Sequence, residues 1–135
     1  MSRSAERGAA AVEFALLAPV LIMLLLGIME FGRAYNVQIS LTNAARESVR
    51  SMTISDSTTT LSEKKAAALA AANKAITFGA TLTTSNIEFN PASCSVAAGT
   101  APPQMQVTIR YTLSTMTGIA GPFTMTGKGT MLCGG

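Results

Sequence analysis

From Ala9 to Met29 the chain runs for 21 residues with a single charge, Glu13. As a helix rising about 1.5 Å per residue, that run crosses a hydrocarbon layer of about 30 Å, for which roughly 20 apolar residues suffice. The remainder must be arranged on either side of it. A carboxylate near one end of such a segment is costly in lipid, so Glu13 belongs at an interface or has a partner. Upstream lies a polar leader, Met1-Ser-Arg-Ser-Ala-Glu-Arg-Gly8, in which Arg3 and Arg7 oppose Glu6.

A positive N-terminal flank favours retention in the cytoplasm and places the C-terminal bulk outside. The bias is small, because Arg33, Arg46 and Arg50 follow the run and Glu30 offsets only the first of them. Pro19 removes one helical hydrogen bond and crowds the preceding turn, which predicts a kink or loosening near residues 15–19. Gly27 and Gly32 fall on roughly opposite sides of a helix and do not make the small-xxx-small dimer pattern.

Beyond the apolar run, Ile28, Phe31, Tyr35, Ile39, Thr42, Ala45, Val49 and Met52 recur at steps of three and four residues. Arg33, Gln38, Asn43, Arg46 and Glu47 fall largely off that stripe. One continuous helix from about Ala9 to Met52 follows, roughly 65 Å long. A polar break at Ser55–Thr60 precedes Thr60 and Glu63 at capping-box spacing, which opens an Ala-rich helix ending at Gly79, with Leu69, Ala72 and Ile76 on its apolar face.

After Gly79 the period becomes two. Ile87–Phe89 is a short strand ended by Asn90-Pro91. Met105, Val107, Ile109, Tyr111 and Leu113 alternate with polar residues in the clearest strand pattern of the chain. Phe123, Met125 and Met131 mark a third strand, weakened by Gly127 and Gly129. Loops rich in Gly and Pro, 99–103 and 117–122, separate these strands. The fold class is therefore α+β: a long N-terminal transmembrane and spine helix, a second helix and a small antiparallel β-sheet. The boundaries are a leader at 1–8, a transmembrane helix at 9–30, its extension at 31–53 and a small exported domain at 54–135.

Composition closes off several classes. The 135 residues include no His and only two Cys, far apart, which excludes a zinc site or a His-dependent catalytic unit. A net charge of +3 without a basic cluster, and seven aromatic residues, argue against nucleic-acid binding. No cofactor is expected, and the chain does not read as an enzyme.

Gly8 followed by Ala9-Ala-Ala-Val-Glu13-Phe14 and the apolar run resembles the class III signal of type IV pilin-like proteins. Over a longer stretch, Arg7-Gly-Ala-Ala-Ala-Val-Glu-Phe-Ala-Leu-Leu-Ala-Pro-Val-Leu, then Glu30-Phe-Gly-Arg33 and Asn43-Ala-Ala-Arg-Glu-Ser-Val-Arg50, the chain resembles the TadE-like minor pilins or pseudopilins of the tight-adherence (Flp) system. The resemblance is specific over residues 7–50 and compositional afterwards. It implies that a prepilin peptidase cuts between Gly8 and Ala9, so that Glu13 becomes the fifth residue, with Phe14 as the aromatic residue of the Flp branch. The leader's two Arg and one Glu carry +1 of the chain's +3, so the mature chain carries +2.

By the same resemblance, the Glu13 carboxylate pairs with the freed amino group of Ala9 on a neighbouring subunit and sets the axial register. Two opposite charges are costly alone in low dielectric and tolerable together. The implied partners are the prepilin peptidase, other pilin or pseudopilin subunits, a membrane assembly platform with a cytoplasmic ATPase, and the lipid bilayer. The location is the cytoplasmic membrane, single-pass with the N-terminus inside, or a surface pilus.

The blander readings stand beside these. Glu13 can be a first-turn acid favoured by the helix dipole among headgroups. Phe31 and Tyr35 can be interface anchors, and Arg46, Glu47 and Arg50 a solvated face or a subunit contact. An uncleaved single-pass protein presenting a binding domain is one alternative. A secreted protein cut after Gly32-Arg33-Ala34 is another, against which the apolar run is longer than a secretory core of about 7–15 residues. Cys94 and Cys133 lie on the side assigned to the exterior, where disulfides persist, and are expected to form one bridge; the alternative is two free thiols.

Overall fold

The computed structural model describes residues 3–54, 59–94, 101–116, 118 and 121–133, with side chains from Arg7 onward. Helix α1 spans Arg3–Ile54 and helix α2 spans Leu61–Ala75. A single 3-10 turn at Thr84–Asn86 leads into strand β1 (Ile87–Asn90), followed by β2 (Gln104–Leu113) and β3 (Phe123–Leu132). Among the described residues the strands form one antiparallel sheet in the order β1-β2-β3. The architecture is α+β, with the C-terminal half of α1 lying across the sheet and α2 against α1.

At 52 residues, α1 begins six residues before Ala9 and ends two after Met52. Its length is about 78 Å at 1.5 Å per residue. No proline or β-branched cluster separates Arg3 from the apolar run, and the intervening Arg7-Gly-Ala-Ala-Ala sequence is mostly good helix former, so residues 3–8 join the same helix. The helix also continues through Pro19 without a break. The expected breaks at 55–60, 99–103 and 117–122 fall partly outside the described residues.

Thr60 caps α2 as its spacing implies. The Glu63 amide donates to Thr60 Oγ1 at 3.4 Å, and the Thr60 amide donates to Glu63 Oε2 at 2.9 Å. The far end departs from expectation: α2 stops at Ala75, not Gly79. Ser40 on α1 supplies the reason. Its Oγ accepts from the Thr77 amide at 3.0 Å and donates to the Ala75 carbonyl at 3.5 Å. A side chain of the neighbouring helix thus takes up groups that another turn would have used.

The sheet's register puts Met105, Val107, Ile109, Tyr111 and Leu113 of β2 opposite Met131, Gly129, Gly127, Met125 and Phe123 of β3. This is the face that α1 covers. Val37, Leu41, Ala44, Ala45, Val49 and Met52 of α1 meet Met105, Val107, Ile109 and Leu113 of β2 in one buried cluster, joined by Ala68 and Ala72 of α2 and by Leu82. Full burial of each large member contributes about 1.5–3 kcal/mol.

The expected stripe on α1 is right at Ala45, Val49 and Met52 and wrong before them. Ile28, Phe31, Tyr35 and Ile39 are exposed by 62, 80, 69 and 44%, while Val37, Ser40, Leu41 and Ala44 are buried instead. Small residues face the sheet because the two backbones approach too closely for bulky ones.

Gly127 and Gly129 cause that approach, so they do not weaken β3 as expected. A β-carbon at Gly127 would collide with the Leu41 carbonyl. One at Gly129 would stand 2.6 Å from the Ala45 oxygen and 2.8 Å from the Arg46 nitrogen. Four helical residues rise about 6 Å and two strand residues about 6.6 Å, so the two contacts repeat in step.

Two predictions follow from these contacts. Gly129→Ala forces backbone apart from backbone and should destabilise the chain by about 1–3 kcal/mol in urea unfolding, whereas Gly121→Ala, with open space around it, should cost far less. Bonds from Thr60 hold the Glu63 carboxyl below its ordinary value of 4.5. A lowered folded value means the cap is fully formed above the unfolded value and is lost as pH falls through the folded one. The Thr60 amide resonance should therefore titrate with a midpoint below 4.5, and stop doing so in Glu63→Gln.

Candidate functional site

The residues singled out from the sequence fall into two groups, one along the N-terminal half of α1 and one at the far end of the sheet. In the first, Gly8 and Ala9 are both exposed on helical backbone, so the peptide bond between them lies inside a turn of α1. Nothing lies within 4 Å of where a Gly8 side chain would begin. One turn on, Glu13 is exposed and takes no part in the ion pair recorded among the described residues, Arg110 to Glu88 at 3.2 Å. Phe14 beside it is 71% exposed.

From Val12 to Met29 the large apolar side chains of α1 project away from every other part of the chain, each between 40 and 71% exposed. The most apolar stretch of α1 is wholly unburied by the fold, and the helix is long and apolar enough to cross a membrane. Such a surface in water is a liability and in lipid or among like helices is ordinary. The structure therefore leaves Gly8, Ala9, Glu13 and Phe14 together on a free helix, not in a pocket.

The globular part begins where the apolar run ends. Glu30, one residue past Met29, accepts from the Met116 backbone amide at 3.0 Å on Oε2 and 3.3 Å on Oε1. Arg33 Nη1 donates to the Ser114 carbonyl at 2.9 Å, and Gln38 Nε2 donates to the Thr126 carbonyl at 2.8 Å. Further along, Thr53 Oγ1 lies 3.0 Å from Met131 Sδ. These contacts climb α1 in step with β3, so Ser114 and Met116, just after β2, sit beside residues 30–33 and the sheet rises away from the apolar run.

At the opposite end, Cys94 and Cys133 are joined by a disulfide with Cα atoms 5.4 Å apart. Cys133 is buried, and its amide donates to the Pro103 carbonyl at 2.9 Å. The bridge ties the end of β3 to the segment after β1. The two site groups are thus separated by the length of the domain and share no chemistry.

Arg46, Glu47 and Arg50 are exposed. Glu47 and Arg50 border a shallow groove with Ser51, Ile54 and Ala71. Across the outer sheet face, Glu88, Gln106, Arg110 and Lys128 make a polar surface with the exposed Glu88–Arg110 pair, of the kind that contributes little to stability.

Sequence reasoning gave Glu30 only the role of offsetting Arg33, and missed Ser40 and Asn73. Asn73 accepts from the Leu82 amide at 2.7 Å and donates to its carbonyl at 3.1 Å, closing the loop after α2. Their partners are backbone groups, in the case of Glu30 86 residues away, and a backbone partner leaves no residue type to recognise.

Against models of known families, residues 8–50 match the family described as TadE-like protein. No curated protein and no solved structure matches the chain. The family match takes in the Gly8–Ala9 junction, Glu13, the apolar run and α1 as far as Arg50, and it stops before α2 and the sheet.

Proposed function

We propose that this chain, TadE-like over residues 8–50, is a minor pilin or pseudopilin of a bacterial tight-adherence pilus, made as a prepilin and cut between Gly8 and Ala9. One observation carries the reading above the others. The junction and Glu13 stand on the N-terminal part of α1, whose most apolar stretch is buried nowhere within its own fold. A helix of that kind is completed by lipid before assembly and by neighbouring helices after it.

The chemistry of processing fits the local backbone. A peptidase needs an extended substrate, and the scissile bond lies in a helical turn. Glycine in a helix interior is less stable than alanine by about 0.5–1 kcal/mol, so Gly8 is where α1 opens most readily. It also presents no side chain to a protease approaching the backbone. Cleavage creates an ammonium group at Ala9, one turn from Glu13. In a bundle of parallel helices, a Glu13 carboxylate opposite a neighbour's Ala9 ammonium exchanges two buried single charges for one pair.

In this reading the protein is a substrate of an enzyme and not one itself. Its partners are the prepilin peptidase, other pilin subunits, and the membrane platform and ATPase that drive assembly. Its N-terminus faces the cytoplasm while it resides in the membrane. The domain beyond α1 is then exported, and the Cys94–Cys133 bridge forms in that oxidising compartment.

The mature N-terminus tests the proposal. Mass spectrometry of protein recovered from membranes containing the native peptidase should give a chain starting at Ala9. In Gly8→Leu the leader should be retained, and because no atom crowds that position the loss reads recognition and not misfolding. A start at Tyr35 would make this a secreted protein, and a parent chain starting at Met1 or Ser2 a permanently anchored one.

The bridge is tested separately. Folded, unreduced protein should take up no alkylating agent at Cys94 or Cys133, and Cys133→Ser should lose roughly 4 kcal/mol, the chain-entropy value for closing a loop of this size. Two alkylatable thiols in the recovered protein would overturn it.

A further inference from the structure

We propose that Met116, just after β2, and Phe123, at the start of β3, form a membrane-contacting foot and enter the headgroup layer on the domain side of the bilayer. The proposal rests on the reading of residues 9–29 as a bilayer span and adds to it a second point of contact, far away in sequence.

Height is the first argument. Gly127 lies against Leu41, and Phe123 comes four residues earlier in a strand that runs alongside α1. Four strand residues measure about 13 Å, the rise of roughly nine helical residues, which puts Phe123 level with residue 32 of α1. The hydrogen bonds agree with that estimate. Ser114 is held by Arg33 and Met116 by Glu30, the first two charges after the apolar run. If the span ends near Met29, these residues stand at its boundary with water.

Composition is the second. Ser114-Thr-Met-Thr-Gly-Ile-Ala-Gly-Pro-Phe123 carries no charge over ten residues. Met116 is 64% exposed and Phe123 45% exposed. Glu30 spends its carboxylate on the Met116 amide, while Arg33 at the same level is an exposed cation suited to lipid phosphates. Phe31, 80% exposed, and Tyr35, 69% exposed, belong to the same level of α1, where aromatic side chains settle at membrane interfaces.

A contact at this point has a mechanical consequence. A single helix leaves a domain free to swing about the point where it leaves the bilayer. A second contact limits that swing and holds the sheet upright, with the Cys94–Cys133 end farthest from the lipid. When the subunit leaves the membrane, Met116 and Phe123 are uncovered and become available to whatever replaces the lipid.

The chain contains no Trp, so a single introduced Trp is a clean probe. The full-length protein would be placed at one copy per nanodisc of phosphatidylcholine and phosphatidylglycerol, with lipids brominated either high or low on the acyl chain. Four variants are compared: Phe123→Trp, Met116→Trp, Leu21→Trp in the span, and Ile54→Trp at the far end of α1, all at exposed positions. The foot probes should shift to the blue and lose emission mainly to the shallow bromines. Leu21→Trp should lose it to the deep ones and Ile54→Trp to neither.

Quenching at Leu21 without quenching at Met116 or Phe123 overturns the foot and leaves the span standing. No quenching at Leu21 removes the span, and the foot with it. Quenching at Ile54 equal to that at the foot would mean a domain lying flat on the bilayer, which also overturns the proposal. With one copy per disc, a neighbouring subunit cannot stand in for lipid.

Discussion

The Leu41 and Ala45 turns of α1 rest on the Cα atoms of Gly127 and Gly129 with no side chain between them. Because four residues of helix and two of strand cover nearly the same distance, this contact repeats once and could not slip by one residue without driving a side chain into a backbone. It therefore fixes more than local packing. It makes β3 run alongside α1, sets the height of the sheet on the helix, and delivers Ser114 and Met116 to Arg33 and Glu30. Register in the rest of the sheet follows, since β2 pairs with β3 along its whole length and β1 with β2.

That close approach divides the surface of α1. Toward the sheet and α2 the helix offers Ala34, Val37, Ser40, Leu41, Ala44 and Ala45, small or medium residues that admit a neighbouring backbone. Away from them stand Ile28, Phe31, Tyr35 and Ile39, exposed and continuous with the apolar run below. These exposed positions lengthen the apolar surface that begins in the run below.

Much of this was legible in the sequence, and the failures share a cause. The apolar run, the Thr60–Glu63 cap and the alternation of β2 are signals carried by residue type at fixed spacing, and each appears where expected. Hydrophobic size alone does not mark the buried face of α1, since Ala44, Ala45 and Ser48 are as buried as Leu41 and Met52. Gly127 and Gly129 were read as weaknesses in a strand, since a glycine's value as a place of approach exists only once the approaching backbone is known. The end of α2 was lost for the same reason: Ser40, 35 residues from Ala75, decides it. On the candidate site, the sequence alone isolated Gly8, Ala9 and Glu13, because their pattern is local. It could not show that the junction is helical.

Two carboxylates bracket the apolar run, Glu13 and Glu30, about 25 Å apart along the helix axis. They differ in what answers them. Glu30 is half-buried and accepts the Met116 amide with both oxygens in reach, so its charge is met within the chain and it positions a loop. Glu13 is exposed on a free helix and its position in the apolar run is met by no ion pair among the described residues. A carboxylate in that setting either stays with water at the membrane boundary or waits for a cation from another molecule. Only one event in the proposed life of this chain creates such a cation at the right depth, and that is cleavage at Gly8. On the proposed reading, residues 1–8 do more than mark the protein for processing: while they remain, Ala9 has no ammonium group, and the proposed pairing with Glu13 cannot form.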